Sequence, residues 1–375
     1  MMPADSDNSS SSTEDIQEGA LEAASSVLGC AAIELATSKL SGDASSRCYF
    51  RLRRCDGESI VAAVYPEPFD ETEPASRRLS RFESVNQLAR LTFANDPCAH
   101  LEATEVLAKG ELPVPKVLGV SGRERCVLLE DVGDLRLQDW LPNHTAEEQL
   151  AAYRNAIDYI VRIQELTASV ADPETIYSRL AFDEAKLRFE LDFFAENFFN
   201  RYLSTALDPN DRSEMDEAFT IICCRLAAFP RVLTHRDYHA RNLMMDGGRM
   251  VIIDHQDARL GPETYDLVSL LDDPYAVLAA DQSTELIDYY LERKSSSSVQ
   301  LVQPAEFRES IHLAAVQRML KAVGTYTYQA AVKYNEVYIR YIEPALVSGL
   351  KHLRALEAFP KLESILDESL ELAAQ

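Results

Sequence analysis

The chain has 375 residues, a length typical of two packed structural units and far above the size at which disulfides or metals must hold a fold together. Its 61 acidic and 37 basic side chains give a formal net charge of −24, which disfavours diffuse binding to nucleic acid or to an anionic membrane surface. No apolar stretch approaches the ~20 residues of a membrane helix, and the N-terminus lacks a signal-peptide pattern, so we expect a cytoplasmic protein.

The first part of the chain predicts a tail followed by a small sheet. Residues 1–18 are rich in Ser, Asp, Asn and Glu, a composition that favours disorder. Between residues 19 and 132, short apolar and β-branched runs alternate with one charged segment of helical period, so we expect a sheet with one interleaved helix. The predicted strands are Cys48–Arg53, Ile60–Val64, Val117–Val120 and Cys126–Glu130, and the helical segment is Arg77–Lys109.

Residues 133–375 predict a second, mostly helical unit, because long amphipathic stretches dominate them. The predicted helices are Ala146–Ser169, Phe182–Leu207, Arg212–Ala228, Glu285–Arg293, Phe307–Lys333 and Val337–Leu356. Three short apolar runs interrupt this pattern and predict strands, at Arg231–Leu233, Leu243–Met245 and Met250–Ile253. The fold class is therefore α+β, with a polar loop presented on strands inside the helical unit.

That polar loop has the residue spacing that phosphoryl transfer from ATP requires. The reaction needs a carboxylate to accept the proton of the attacking hydroxyl, and oxygen ligands to hold Mg²⁺ on the nucleotide phosphates. Asp237 is the candidate base, and the candidate Mg²⁺ ligands are Asn242, five residues later, and Asp254, twelve residues further on. Each residue alone is equally consistent with a turn or a strand end, but the joint spacing between strands favours the catalytic interpretation.

Two motifs around this loop carry a resemblance to a known family. His235–Asn242 reads H-R-D-Y-H-A-R-N, and Gly261–Leu267 reads G-P-E-T-Y-D-L. In these motifs the chain resembles the group of aminoglycoside phosphotransferases and choline kinases. The resemblance implies a two-lobed, protein-kinase-like fold in which His235 and Asp266 support the catalytic loop.

Softer motifs extend the resemblance to about residues 30–365. They are Gly42–Arg47, Leu112–Leu118, Leu128–Asp131, Ile253–Ala258, Gly261–Leu270 and Gln317–Lys321. Together they resemble the bacterial N-acetylmuramate/N-acetylglucosamine anomeric kinases. This resemblance implies ATP- and Mg²⁺-dependent phosphorylation of the anomeric hydroxyl of N-acetylmuramate, N-acetylglucosamine or both, in the recycling of cell-wall sugars.

The phosphate-binding part of the first unit departs from the kinase pattern. The turn that should cover the nucleotide has one glycine instead of a glycine-rich loop, so the hydroxyls of Ser45 and Ser46 are candidate phosphate donors. The second predicted strand also lacks the usual phosphate-pairing lysine. Either Arg47 or Arg51 replaces it, or Mg²⁺ and backbone groups hold the nucleotide.

Adenine recognition is expected where the two units meet. The resemblance implies that main-chain groups of Glu130 and Val132 contact the adenine edge. Backbone recognition requires no particular side chain, so the sequence indicates a position there and not a residue type.

The acceptor residues are expected on helices of the second unit. Glu190 and Asn197 lie two helical turns apart beside an aromatic side chain, a combination suited to the hydroxyls and the apolar face of a sugar. Arg318 and Lys321 are three residues apart and are candidates for binding the lactyl carboxylate of N-acetylmuramate or the ATP phosphates. Core packing of the first pair and solvation of the second are the structural alternatives.

Two other functions stay open from the sequence. One is a kinase of another small alcohol, such as an aminoglycoside or choline, although a basic wall at Gln317–Lys321 would repel a cationic aminoglycoside. The other is a non-catalytic, kinase-like nucleotide-binding module. Loss of the strand lysine favours that module, whereas retention of Asp237, Asn242 and Asp254 argues against it.

Overall fold

The computed structural model describes residues 13–29, 31, 35–40, 47–74, 76–77, 84–93, 95–171, 175–295 and 304–373. Residues 1–12 of the predicted tail lie outside this set, as do Ser45 and Ser46. None of the helices in the described residues is long and apolar enough to cross a membrane. The chain has the two-lobed α+β fold, with a sheet lobe followed by a helical lobe.

The sheet lobe is built on five antiparallel strands in the order β1-β2-β3-β5-β4. The strands are β1 (Leu35–Leu40), β2 (Cys48–Arg54), β3 (Ser59–Val64), β4 (Val117–Ser121) and β5 (Cys126–Glu130). The four predicted strands are confirmed within one residue. The edge strand β1 was not predicted, because only Leu35 of its six residues is buried and its side chains lack an apolar alternation.

One face of the sheet is covered by helix α1 (Thr13–Leu28). Its small residues Ala20, Ala23 and Ala24 are buried against Phe50 and the alternate side chains of β3. Because successive side chains of a strand point to opposite faces, the intervening residues of β3 turn towards the cleft described below. The helix begins inside the stretch predicted as a tail, so residues 13–18 are helical.

The predicted helical segment Arg77–Lys109 is divided in the structure. Helix α2 (Val85–Arg90) is capped by Ser84, and helix α3 (Pro97–Lys109) starts anew at Asp96, whose carboxylate accepts hydrogen bonds from the backbone N–H groups of residues 98 and 99. Pro97 explains the break, since its ring cannot continue a preceding helix but fits the first helical turn.

The helical lobe contains the remaining helices. They are α4 (Leu137–Trp140), α5 (Ala146–Glu165), α6 (Glu184–Ala195), α7 (Pro209–Ala227), α8 (Tyr265–Leu271), α9 (Ala280–Ser295), α10 (Pro304–Ala331), α11 (Ile342–Ala355) and α12 (Pro360–Ala373). The predicted helix Phe182–Leu207 is shorter as an α-helix, because it changes to a π-helix over Glu196–Tyr202. Helices α1, α4, α8 and α12 were not predicted.

Two small strand pairs interrupt these helices, as the sequence predicts. Strand β6 (Arg231–Thr234) pairs with β9 (Arg259–Pro262), which was not predicted, and β7 (Leu243–Asp246) forms a hairpin with β8 (Arg249–Ile252). Thr234 is opposite Arg259 and Leu243 is opposite Ile252. The segments 235–242 and 253–258 are therefore held side by side at both of their ends.

The main hydrophobic core lies in the helical lobe but extends across the predicted boundary at residue 132. Ala99, Ala103 and Leu107 of α3 belong to the same buried cluster as the helices of the second lobe. The sheet lobe has two smaller clusters of its own. Helix α3 thus packs as part of the helical lobe although it lies between strands of the sheet in sequence.

Candidate active site

Hydrogen bonds from its backbone hold the loop 235–242 to helix α8 and to the residues that follow this helix. The Asp266 carboxylate accepts hydrogen bonds from the backbone N–H groups of His235 (2.6 Å) and Arg236 (2.9 Å). Asp273 accepts the N–H of Ala240 at 2.8 Å. Burial raises the pKa of Asp266 to about 6, and the two backbone donors work against that rise.

His235 links the loop to the neighbouring segment. Its Nε2 lies 3.0 Å from the carbonyl oxygen of Ile253, so this nitrogen carries the proton and donates it. The side chain is buried, and it touches the segment that leads directly to Asp254. The positions of His235 and Asp266 are those expected of residues that support the loop, a role that stays a prediction.

Two residues of the site have a left-handed backbone that is unusual outside glycine. Arg236 has φ = +84° and Asp254 has φ = +61°. The guanidinium of Arg236 pairs with Glu190 at 3.1 Å and with Asp257 at 3.2 Å, which holds the residue in place. Strained backbone of this kind persists where surrounding contacts fix it, and it is concentrated at functional sites.

The candidate base Asp237 is surrounded by cations. Its Oδ1 lies 2.6 Å from Nζ of Lys321 and 3.6 Å from Nη2 of Arg318, and its Oδ2 lies 3.8 Å from Nη1 of Arg236. Burial alone would raise the pKa of Asp237, but these cations outweigh it and hold the pKa well below its usual range. Asp237 is therefore ionised and able to accept a hydrogen bond from a hydroxyl group.

The two candidate metal ligands lie on the adjacent segments. Asn242 donates its side-chain N–H to the main-chain oxygen of Asp237 at 2.9 Å, which leaves the amide oxygen available. Ile253, beside Asp254, donates its backbone N–H to the carbonyl of Asn242 at 3.0 Å, and both ligand side chains line one cleft. Within the described part of the chain no three His, Cys, Asp or Glu residues form a metal cluster. One amide and one carboxylate oxygen suit Mg²⁺, which takes its other ligands from phosphates and water.

A cleft of about 420 Å³ separates the two lobes and reaches these ligands. The sheet lobe contributes Val61 of β3 to the cleft wall, and the helical lobe contributes Met244 of β7. Glu130 and Val132, the expected adenine contacts, also line it. The backbone N–H of Glu130 already donates to the Lys116 carbonyl at 2.8 Å, so an adenine contact at Glu130 would use its carbonyl oxygen.

The two arginines that were candidates to replace the strand lysine have different surroundings. Arg51 is bound through its guanidinium to Asp131 and Asp134, with N–O distances of 2.7 to 2.9 Å. Arg47 is 5% exposed, lines the cleft and pairs with Asp254 at 3.1 Å. Its Nε and Nη1 atoms are buried without a hydrogen-bond partner in the described part of the chain. Of the two, Arg47 is the one whose guanidinium has N–H groups without a partner among the described residues.

Of the predicted acceptor residues, Glu190, Asn197 and Arg318 are buried and Lys321 is partly buried. Both oxygens of Glu190 are engaged, one by Arg236 and the other by Gln317 at 3.0 Å. Asn197 donates to the Phe193 carbonyl, and its buried side-chain oxygen has no partner among the residues described. A direct contact of Glu190 or Asn197 with an acceptor stays a prediction, as does one of Arg318 or Lys321.

Sequence reasoning missed several residues that shape the site. Arg236 of the loop and Asp257 of the segment Ile253–Ala258 form an ion pair, yet neither was assigned a role. Arg241 stacks on Tyr275 with 4.3 Å between its guanidinium carbon and the ring centre, and it lines the cleft. Two signals were available in the sequence. Arg236 and Arg241 are charged residues inside a short loop, and Asp273 follows Asp266 by seven residues, two residues beyond the end of helix α8.

Comparisons with known proteins agree with this geometry. Residues 39–307 match the model of the phosphotransferase enzyme family. An N-acetylmuramate/N-acetylglucosamine kinase of Caulobacter vibrioides is 31% identical over 263 residues, which cover 67% of this chain and 71% of that protein. A protein of the same name from Neisseria meningitidis serogroup B is 28% identical over 316 residues, 84% of this chain and 83% of the other.

The fold is also found in solved structures. A choline/ethanolamine kinase family protein from Mesorhizobium loti superposes with a TM-score of 0.55 at 15% identity, covering 96% of this chain and 99% of that one. At this identity the likeness extends to the fold alone. The family model spans both the sheet lobe and the catalytic loop, and the chain therefore belongs to the phosphotransferase enzyme family and is a small-molecule kinase.

Proposed function

We propose that this protein transfers the γ-phosphoryl group of ATP to the anomeric hydroxyl of N-acetylmuramate, N-acetylglucosamine or both. The observation that carries the proposal is the convergence of Asp237, Asn242 and Asp254 on two segments that strand pairing holds together. The names of the relatives support the choice of amino sugar.

Asp237 has the properties of a base for this acceptor. A hemiacetal hydroxyl is a stronger acid than an ordinary alcohol, so it can lose its proton to a carboxylate of low basicity. The cations around Asp237 keep its pKa well below the usual range. Because the attacking hydroxyl loses its proton as the bond to phosphorus forms, a weak but well-oriented base is sufficient.

Asn242 and Asp254 would hold Mg²⁺, which would neutralise charge on the nucleotide phosphates when bound. Arg47 would pair with the same phosphates, in place of the absent strand lysine. Its Nε and Nη1 atoms make no hydrogen bond to any residue that the structure describes, and its side chain lines the cleft, which supports this role. The main chain at Glu130 and Val132 would meet the adenine edge.

An aminoglycoside acceptor is disfavoured by the charge around the base. Lys321, Arg318 and Arg236 all lie within 4 Å of the Asp237 carboxylate. A polycationic acceptor would have to place its ammonium groups near these three cations, at a cost in free energy that a neutral or anionic sugar avoids. The ionised base and the two metal ligands likewise disfavour a non-catalytic module.

The test is a panel of acceptors with ATP and Mg²⁺, followed by ³¹P NMR of the products. We expect a sugar 1-phosphate from N-acetylmuramate or N-acetylglucosamine, identified by coupling of the phosphorus to the anomeric proton, and no product from kanamycin or choline. Product from kanamycin or choline alone would contradict the proposal. So would nucleotide binding without turnover of any panel compound.

A further inference from the structure

Helix α10 supplies a lysine that contacts the catalytic carboxylate. The ammonium of Lys321 lies 2.6 Å from Oδ1 of Asp237, and its side chain is 12% exposed. Arg318, one turn earlier on the helix, is 3.6 Å from the same oxygen. Helix α10 is more than 60 residues from the loop in sequence, so it is the fold that brings this cation to the base.

The contact distinguishes the two oxygens of Asp237. Oδ1 is engaged by Lys321, whereas Oδ2 accepts no hydrogen bond from the residues that the structure describes, and its nearest cation is Arg236 at 3.8 Å. The main-chain oxygen of Asp237 is held by Asn242. Oδ2 is therefore the atom with capacity to accept a hydroxyl proton.

Lys321 is held in place by contacts on both sides along helix α10. One turn before it, the Gln317 amide receives a hydrogen bond from Tyr265 at 3.1 Å and donates to Glu190 at 3.0 Å. One turn after it, Gly324 allows close approach of α6, because a Cβ atom there would lie 2.7 Å from the Cα of Phe194. The helix cannot slide without breaking these contacts.

We propose that Lys321 is a positioning residue for the base: its ammonium fixes Oδ1 of Asp237 and thereby directs Oδ2 to the acceptor hydroxyl. The proposal rests on the proposed function only in that Asp237 accepts the proton of the acceptor. It assigns Lys321 a role distinct from binding a substrate carboxylate or the ATP phosphates.

The charges that face Lys321 give this role a pH dependence. Burial lowers the pKa of Lys321 to about 8. Asp237 from the loop and Glu190 from α6 raise it, whereas Arg318 on the same helix and Arg236 lower it further. A lysine with a lowered pKa is charged below that pKa and neutral above it, so the ion pair with Asp237 is lost as the pH rises through about 8. We therefore expect kcat of the wild-type protein to decline as the pH rises through this value.

The experiment compares Lys321→Gln and Lys321→Arg with the wild-type protein across the pH range. For Lys321→Gln we expect kcat to fall by at least ~10-fold, with KM for ATP and for the sugar changed by less than ~2-fold, because orientation and not binding is lost. Lys321→Arg should restore part of kcat and remove the alkaline decline near pH 8, since arginine stays charged.

Two matched variants locate the effect. Lys333→Gln removes an exposed lysine just beyond the same helix and should leave kcat and the pH profile unchanged. Lys186 is a second buried lysine of the network, 3.5 Å from Glu190, and burial lowers its pKa to about 7. If Lys186→Arg, and not Lys321→Arg, removes the alkaline decline, the proposal is wrong.

Other results would also overturn it. A raised KM for ATP, or a KM raised for N-acetylmuramate more than for N-acetylglucosamine, with kcat retained in Lys321→Gln, would assign Lys321 to ligand binding. If that variant does not fold by circular dichroism, the Lys321→Arg profile alone decides, and an unmoved alkaline decline rejects the proposal.

Failure of the proposed function would be seen separately. If the wild-type protein forms no sugar 1-phosphate, the same variants are compared on whichever alcohol of the panel, or water, accepts the phosphoryl group. A readout free of turnover is ¹⁵N NMR of the Lys321 ammonium, assigned with Lys321→Arg. Its pKa should fall in Asp237→Asn, because the carboxylate that raises it is gone, and an unchanged pKa would count against the contact.

Discussion

Asp237 lies among three positive side chains, which lower its basicity but leave it able to accept a hydrogen bond. Lys321, Arg318 and Arg236 stabilise the carboxylate form, so the pKa of Asp237 lies well below its usual range and the residue is ionised at neutral pH. A carboxylate of this kind contributes by its position, because it removes a proton only as the hydroxyl becomes acidic during bond formation to phosphorus.

Replacing Asp237 with Asn should remove the base and little else. The amide has the same shape and can keep one acceptor oxygen towards Lys321, so we expect the fold and the ATP affinity to be retained. We expect kcat to fall at least ~10²-fold, the low end of the contribution of a positioned base. Steady-state kinetics and ATP titration calorimetry measure the two quantities, and near-normal turnover would exclude Asp237 as the base.

Arg47, just before β2, and Arg51, within β2, allow a direct comparison of two arginine substitutions. Two guanidinium nitrogens of Arg47 have no hydrogen-bond partner among the described residues, whereas the Arg51 guanidinium is bound to Asp131 and Asp134. Arg47→Met should raise KM for ATP by ~10-fold or more, the size of one charge-assisted contact of ~1.5–3 kcal/mol.

Arg51→Met should change KM for ATP much less, while lowering thermal stability because Asp131 loses the cation that is paired with it. Steady-state kinetics and thermal unfolding on both variants test the pair. If Arg51→Met raises KM for ATP more than Arg47→Met does, Arg51 and not Arg47 binds the phosphates.

At the scale of elements, the catalytic loop depends on helix α8. Asp266 accepts two backbone N–H groups, and an Asn in its place can accept through one oxygen only, leaving one buried donor unsatisfied. We expect Asp266→Asn to lower the free energy of unfolding by ~1–3 kcal/mol and to lower kcat more than it raises KM.

Denaturant unfolding and steady-state kinetics measure both effects of that substitution. Asp288→Asn, an exposed change on helix α9, serves as the control and should leave both quantities unchanged. Full activity in Asp266→Asn would show that the loop keeps its geometry without this anchor.

Some helices and strands could be predicted from the sequence and others could not. The hairpin strands β7 and β8 have apolar residues and a polar turn with two glycines, so they are visible locally. Strand β9 reads R-L-G-P, with two turn-forming residues, and it is a strand only because β6 pairs with it. Helix α12 has a visible apolar period and could have been predicted.

Some residues of the site could likewise be predicted from the sequence, and others could not. Asp237, Asn242 and Asp254 follow from spacing along one stretch of chain. The cations on Asp237 do not, because Lys321 is 84 residues away and its register depends on how α10 packs against α6 and α8. Sequence patterns indicated that Arg318 and Lys321 lie together on a helix, but not what they face.

At the scale of the whole molecule, the net charge of −24 says little about the site. Cations concentrate around the loop, including Lys186, Arg236, Arg318 and Lys321, all of them largely buried. These cations are paired with the carboxylates of Asp237, Glu190 and Asp257. The charge around the loop is therefore set by buried ion pairs, which the net charge of the whole chain does not reveal.

Because residues of both lobes line the cleft, a ligand bound there should stabilise the whole chain. With ATP and Mg²⁺ at ~100 times Kd we expect ~2.7 kcal/mol of added stability, which is visible as a higher Tm. In Asp254→Asn the part of this shift that depends on Mg²⁺ should be lost, whereas Asn tolerates the left-handed backbone there. Thermal unfolding with and without Mg²⁺ measures this, and an equal Mg²⁺-dependent shift in both proteins would remove Asp254 as a ligand.

Strand pairing at both ends of the two catalytic segments has a consequence for turnover. Thr234 with Arg259 and Leu243 with Ile252 tie the segments of Asp237, Asn242 and Asp254 together within the helical lobe. We therefore expect any movement of the sheet lobe to leave the mutual spacing of these three residues unchanged. The proposed base and metal ligands would then need no reassembly between one turnover and the next.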